Sequence, residues 1–152
     1  MVTNAVWVVG FDGSAGALEA LTWAARVAQG RDVTIQVVSA WQYPYLGLFP
    51  LAGSAIPALN EQMGKAIERE VAAVAEDVSV NTGVRIKTAM ALGPAAQMLL
   101  EALEDAELAV VGSRGRGGFA RLMLGSVAHQ LATHARRPTI IVPDGTDGTE
   151  LD

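Results

Sequence analysis

Ala109-Val110-Val111-Gly112-Ser113-Arg114-Gly115-Arg116-Gly117-Gly118-Phe119-Ala120-Arg121-Leu122-Met123-Leu124-Gly125-Ser126 is the segment around which the chain is organised. A short apolar run ends at a glycine, a glycine- and arginine-rich loop follows, and Gly125-Ser126 opens an amphipathic segment. Each part suits an anion. Glycines let backbone N–H groups approach a ligand closely. Arginines supply charge and forked donors. A helix that starts at Gly125-Ser126, with Ser126 as its N-cap, turns unpaired N–H groups and a positive dipole end towards the loop.

Working outward, the same strand–turn–helix pattern recurs along the chain. Ala5 to Val9 is a short apolar run of the kind buried on both faces, bounded by Gly10-Phe11-Asp12-Gly13-Ser14. Ser14 is placed to cap a helix whose apolar positions Leu18, Leu21, Ala25 and Ala28 end at Gly30. Val33 to Ala40 reads as a second strand. Trp41 to Leu59 holds Pro44, Pro50 and Pro57, and no charge occurs from Val33 to Asn60. That stretch is long enough to span a membrane, but its first part is strand-like and three prolines would break a helix. It reads instead as a long apolar loop that covers a ligand mouth, a partner or the core.

Asn60 to Val80 predicts a covering helix with Met63, Ile67, Val71, Val74 and Val78 on one face. Val84 to Leu92 reads as strand three. Gly93-Pro94 marks a turn with Pro94 at the first helical position, and Met98, Leu99, Ala102 and Leu103 give a helix ending near Asp105. Leu108 to Val111 is strand four. Val127, Ala128, Leu131, Ala132 and Ala135 form a helical face after the glycine loop, and Thr139 to Val142 is strand five. This alternation predicts an α/β fold: an open, doubly wound, five-stranded parallel sheet with helices on both faces. In such sheets ligands sit at the carboxyl ends of the strands where strand order reverses. If strands one and four are neighbours, the turns at Gly10-Phe11-Asp12 and Gly112-Ser113-Arg114-Gly115 share one crevice, with Val38 to Ala40 as its other wall.

Length and composition agree with one domain over residues 1–143 and a polar tail from Asp144 to Asp152, read as disordered. The absence of cysteine excludes disulfides and thiolate metal sites. The only histidines, His129 and His134, leave little scope for a histidine metal centre and are read as structural. The start of the chain shows no basic-then-apolar segment, which points to a cytoplasmic protein. Net charge is −5, yet no acidic residue lies between Glu107 and Asp144, where Arg114, Arg116, Arg121, Arg136 and Arg137 give +5 and leave −10 elsewhere. One basic segment in an acidic chain fits a local anion site better than the broad basic face that nucleic acid needs.

Three phosphate fingerprints compete for the opening stretch. A Walker loop needs Gly-Lys-Ser/Thr, but Leu124 precedes Gly125-Ser126 and Lys65 and Lys87 are remote. A dinucleotide pattern forced onto Gly115-x-Gly117-x-x-Ala120 follows the fourth strand, and no carboxylate lies about 20 residues on. There remains the spacing Gly112-x2-Gly115-x9-Gly125-Ser126.

With this spacing the chain resembles the universal stress protein family, in its nucleotide-binding branch. The resemblance covers nearly the whole chain and includes Val8 to Ser14, Val38-Ser39-Ala40-Trp41, Gly93-Pro94 and His134-Ala135 before Pro138. It implies a Rossmann-like sheet of the adenine nucleotide alpha hydrolase type, in strand order 3-2-1-4-5. It further implies that Gly10, Phe11 and Asp12 lie near the nucleoside and that Val38 and Ala40 line the adenine pocket. Gly112, Arg114 and Gly115 would approach ribose and phosphates, and Gly125, Ser126 and Val127 the terminal phosphates. ATP with Mg2+ on its phosphates is the implied ligand, and a homodimer through Thr139 to Val142 the implied assembly. The expected function is an ATP-binding regulatory protein of the stress response with an unidentified protein partner. A slow ATPase that uses Arg114, Arg116 and Asp12, or a nucleotide-independent interaction module built on the Trp41–Leu59 loop, are the alternatives.

Overall fold

The computed structural model describes residues 4–41, 55–115 and 124–145, with residues 55–60 as helix backbone only. The elements run β1 (Ala5–Gly10), α1 (Ala15–Ala28), β2 (Val33–Trp41), α2 (Ala55–Thr82), β3 (Arg85–Leu92), α3 (Ala95–Leu103), β4 (Leu108–Gly112), α4 (Ser126–His134) and β5 (Thr139–Val142). The five strands form one parallel sheet in the order β3-β2-β1-β4-β5. This is the expected doubly wound order, reversing at β1, where the chain crosses first to β2 and later to β4.

The centre of the sheet, β1, β2 and β4, is buried on both faces, and the pleat explains how. Trp7, Val9 and Phe11 point to one side and pack with Ala20, Leu21, Ala24, Val71 and Val78 of α1 and α2. Val8 points to the other and packs with Leu99, Leu103, Ala128 and Leu131 of α3 and α4. Trp7 is 5% exposed, and its indole N–H donates to Glu107 Oε2 at 2.9 Å, so the polar tip of a core side chain is satisfied at the edge of the α3–β4 turn. Among the described residues no helix is long and apolar enough to cross a membrane.

Several local expectations are corrected. α2 begins at Ala55 rather than Asn60. Pro57 falls within its first turn, where a missing N–H costs nothing because the first four lack helical partners. Trp41 ends β2, its ring 3.7 Å from where a Cβ on Gly64 of α2 would stand; residues 42–54 of the supposed loop lie outside the described residues. Pro94 is the N-cap of α3, and the helix starts at Ala95. The stripes also shift. Leu18 (43%) and Met63 (41%) are exposed, while Ala17, Ala20, Ala24 and Ala75 are buried. Small residues let α1 and α2 approach the sheet closely, so the buried face follows the alanines rather than the largest apolar side chains. Ala132 and His129 of α4 are exposed as well.

Candidate functional site

The crevice opens where β1 and β4 end side by side, Val9 paired with Val110. A cavity of about 460 Å³ lies there, and Gly10, Phe11, Asp12, Val38, Ala40, Gly112, Arg114, Gly115, Gly125, Ser126 and Val127 all line it. The structure therefore brings these residues, singled out from the sequence, to one place. Arg116 and Arg121 lie outside the described residues.

The β1 wall is built by backbone geometry. A Cβ on Gly10 would stand 2.9 Å from Leu99 Cδ1 and 3.2 Å from Val111 Cγ1, so only glycine lets α3 settle over the strand end. Phe11 N–H donates to the Val38 carbonyl at 3.0 Å, which extends the β1–β2 pairing past the strand. Phe11 is part of the α1-side core and also lines the cavity. Asp12 Oδ1 accepts from Ser14 N–H at 2.9 Å, across Gly13 at φ 83°. Ser14 caps α1 in turn, its hydroxyl accepting from Ala17 N–H at 3.2 Å. The other Asp12 oxygen faces β4's loop: a Cβ on Gly115 would stand 2.6 Å from Oδ2.

The β4 wall is pinned at both ends. Ser113 is 9% exposed; its N–H donates to the Val142 carbonyl at 2.9 Å, and its own carbonyl accepts from Gly125 N–H at 2.6 Å. Gly125, buried beneath the loop, would carry a Cβ 3.2 Å from that same carbonyl. Residues 114 and 115 thus lie directly against the start of α4. Arg114 Nη2 pairs with Asp144 Oδ2 at 2.7 Å.

One role changes. Ser126, expected to cap α4, is its first helical residue; the cap is Gly125, extended at φ −69° and ψ 164°, with no side-chain cap hydrogen bond. The first intrahelical bond on Gly125 comes from His129 N–H at 2.9 Å. By helix geometry the N–H groups of Ser126, Val127 and Ala128 have no partner inside α4. They carry the positive end of its dipole to the cavity rim.

The cavity is two-sided in chemistry. Val38, Ala40, Leu99 and Val111 give an apolar wall; Asp12, Ser14, Arg114, Ser126 and the glycine backbones give a polar one. Such a pairing suits a flat apolar group joined to an anion. Sequence reading missed Ser14, Ala17, Ala95, Leu99, Val111 and Ala128 among the lining residues. The α3 contributors could have been found from Gly10, whose lack of a side chain implies a close neighbour. It also missed the role of Asp144, placed in the tail, although that residue ends an acid-free segment of five arginines.

The family model for the universal stress protein family matches residues 7–143. A universal stress protein of Mycolicibacterium smegmatis is 31% identical over 143 residues, which is 89% of this chain and 47% of that protein. Universal stress protein MJ0531 of Methanocaldococcus jannaschii is 33% identical over 140 residues, covering 89% of this chain and 79% of that one. The chain thus spans about half the length of the mycobacterial relative. A solved universal stress protein in complex with cAMP superposes with a TM-score of 0.64 at 25% identity, covering 92% of this chain and 97% of its own.

Proposed function

The chain belongs to the universal stress protein family, and on that premise we propose that its cavity holds an adenine nucleotide, with ATP as the ligand, and that the protein is a nucleotide-dependent regulator of the stress response. The observation that carries this reading is the glycine cap of α4. With Gly125 as its cap, α4 begins with no side-chain cap hydrogen bond, and the three N–H groups of its first turn have no partner within the helix. Gly112 and Gly115, also without side chains, line the same space. A related protein solved with cAMP supports the same ligand class.

In this reading the adenine lies against Val38 and Ala40, Asp12 meets the ribose, and the phosphates run along Gly112, Arg114 and Gly115 to the start of α4. Among the described residues no cluster of three or more metal-ligating side chains occurs. Mg2+ suits such a site none the less, because it is commonly held by phosphate oxygens and one or two carboxylates, and Asp12 is the carboxylate at hand. β5 is an edge strand of the sheet, open to pairing with a second copy through Thr139 to Val142.

Equilibrium titration with a fluorescent ATP analogue tests the reading. Saturable binding displaced by unlabelled ATP is expected. No binding at millimolar nucleotide would sink it. Mass spectrometry of the denatured protein would reveal nucleotide carried through purification.

A further inference from the structure

The turn that follows β5 is fastened to the phosphate end of the cavity from two sides. Asp144 Oδ2 holds Arg114 Nη2 at 2.7 Å. Its Oδ1 lies 3.3 Å from where a Cβ on Gly16 would stand, over the first turn of α1. Gly145, at φ 80°, donates its N–H to Glu19 Oε2 at 2.9 Å, which fixes the turn to α1. Among the described residues, Arg114 is also the one arginine that lines the cavity. The arginine that lines the cavity among the described residues is therefore already engaged by a carboxylate, and the pair is part-exposed, at 36% and 43%.

We propose that Asp144 sets how strongly the cavity prefers phosphorylated over neutral nucleosides: it competes with the phosphate for the Arg114 guanidinium and gives it up when a polyphosphate binds. This rests on the nucleotide reading above. The physical argument is one of opposed charge. A phosphate approaching Arg114 meets a guanidinium whose charge is offset by Asp144, and must displace or share it. An uncharged nucleoside does not meet this competition. A pair this exposed is worth little on its own account, so it can be broken by a multiply charged ligand.

The test compares dissociation constants for adenosine and ATP, with Mg2+ present, in the wild-type protein, Asp144→Asn, Arg114→Gln and the double variant. Asn keeps the shape of Asp144 and removes its charge. ATP binding is expected to tighten about 3- to 5-fold in Asp144→Asn, with adenosine unchanged within about 2-fold. Arg114→Gln should weaken ATP, and Asp144→Asn should have no further effect in that background. An equal change for adenosine and ATP, no change, or weaker ATP binding would each overturn the inference. So would the same tightening in the Arg114→Gln background, which would mark a general field rather than competition for one guanidinium. Asp144→Ser, read by the same titrations, guards against a folding defect. If neither variant folds, the pair is structural and the inference falls. A wild-type protein that binds adenosine and ATP equally would refute this inference alone, whereas one that binds neither refutes the nucleotide reading as well.

Discussion

Gly112 and Gly16 approach so closely that a Cβ on Gly112 would stand 2.9 Å from the Gly16 carbonyl oxygen, and a Cβ on Gly16 would stand 2.9 Å from the Arg114 carbonyl oxygen. The end of β4 and the first turn of α1 interlock through bare backbone. Gly112→Ala should cost about 1–3 kcal/mol through overpacking, read as a lower urea midpoint. Gly16→Ala is the sharper measurement. In an open helix that change gains up to about 1 kcal/mol; here it should destabilise, and a gain would show that the interlock yields.

Gly115→Ala should separate binding from folding. The clashing atom is Asp12 Oδ2, 2.6 Å from the new Cβ, at the end of an exposed side chain. The carboxylate can swing away, so stability should change by no more than about 0.5 kcal/mol. The cavity loses the placement of Asp12, and nucleotide affinity should fall about tenfold, a loss of about 1.4 kcal/mol. Titration and thermal unfolding of one preparation check both halves.

Gly125→Asp should do the reverse of what caps usually do. The new carboxylate would take the N–H groups at the start of α4, a gain over glycine of only about 0.3 kcal/mol. Crowding against the Ser113 carbonyl, 3.2 Å from the new Cβ, offsets this. Net stability should stay within about 0.5 kcal/mol, while a negative charge on the phosphate path removes nucleotide binding by tenfold or more. Retained affinity would mean that the α4 terminus does not meet the ligand.

Ser126→Ala distinguishes main-chain from side-chain recognition. Ser126 does not cap α4, and the N–H it contributes survives the substitution. Affinity for ATP should fall by no more than about fivefold, the worth of about one ordinary hydrogen bond. A loss of a hundredfold in the same titration would assign the hydroxyl the larger part.

The order of elements was readable because runs such as Val8-Val9 and Ala109-Val110-Val111 are apolar on both faces, which only a covered parallel sheet explains. The strand ends at Gly10 and Gly112 indicated the crevice, and the family resemblance carried by Gly112, Gly115 and Gly125 named the individual lining residues. The start of α2 was hidden by Pro57 and by a charge-free stretch that lacks helical punctuation. The stripes on α1 and α2 were misjudged at Leu18 and Met63, because closeness of approach favours alanine and size does not reveal it. The cap of α4 moved by one residue, a difference settled by the extended backbone of Gly125. Asp144 could not be paired with Arg114 from sequence, since their meeting depends on β4 and β5 lying side by side with Gly112 opposite Val142.

The rim of the cavity is shaped by atoms that are not there. Gly10, Gly112, Gly115 and Gly125 each lie so close to a neighbour that one added methyl group would crowd it. A site made this way has an unusual relation to mutational drift: almost any change at those positions adds matter, and the first addition is enough to obstruct. Descendants of this fold that have abandoned the ligand should therefore carry the record as gained methyls at the rim, with the sheet beneath them intact. A bulkier residue at the position of Gly125 would be an earlier mark of that abandonment than any loss of a charged side chain.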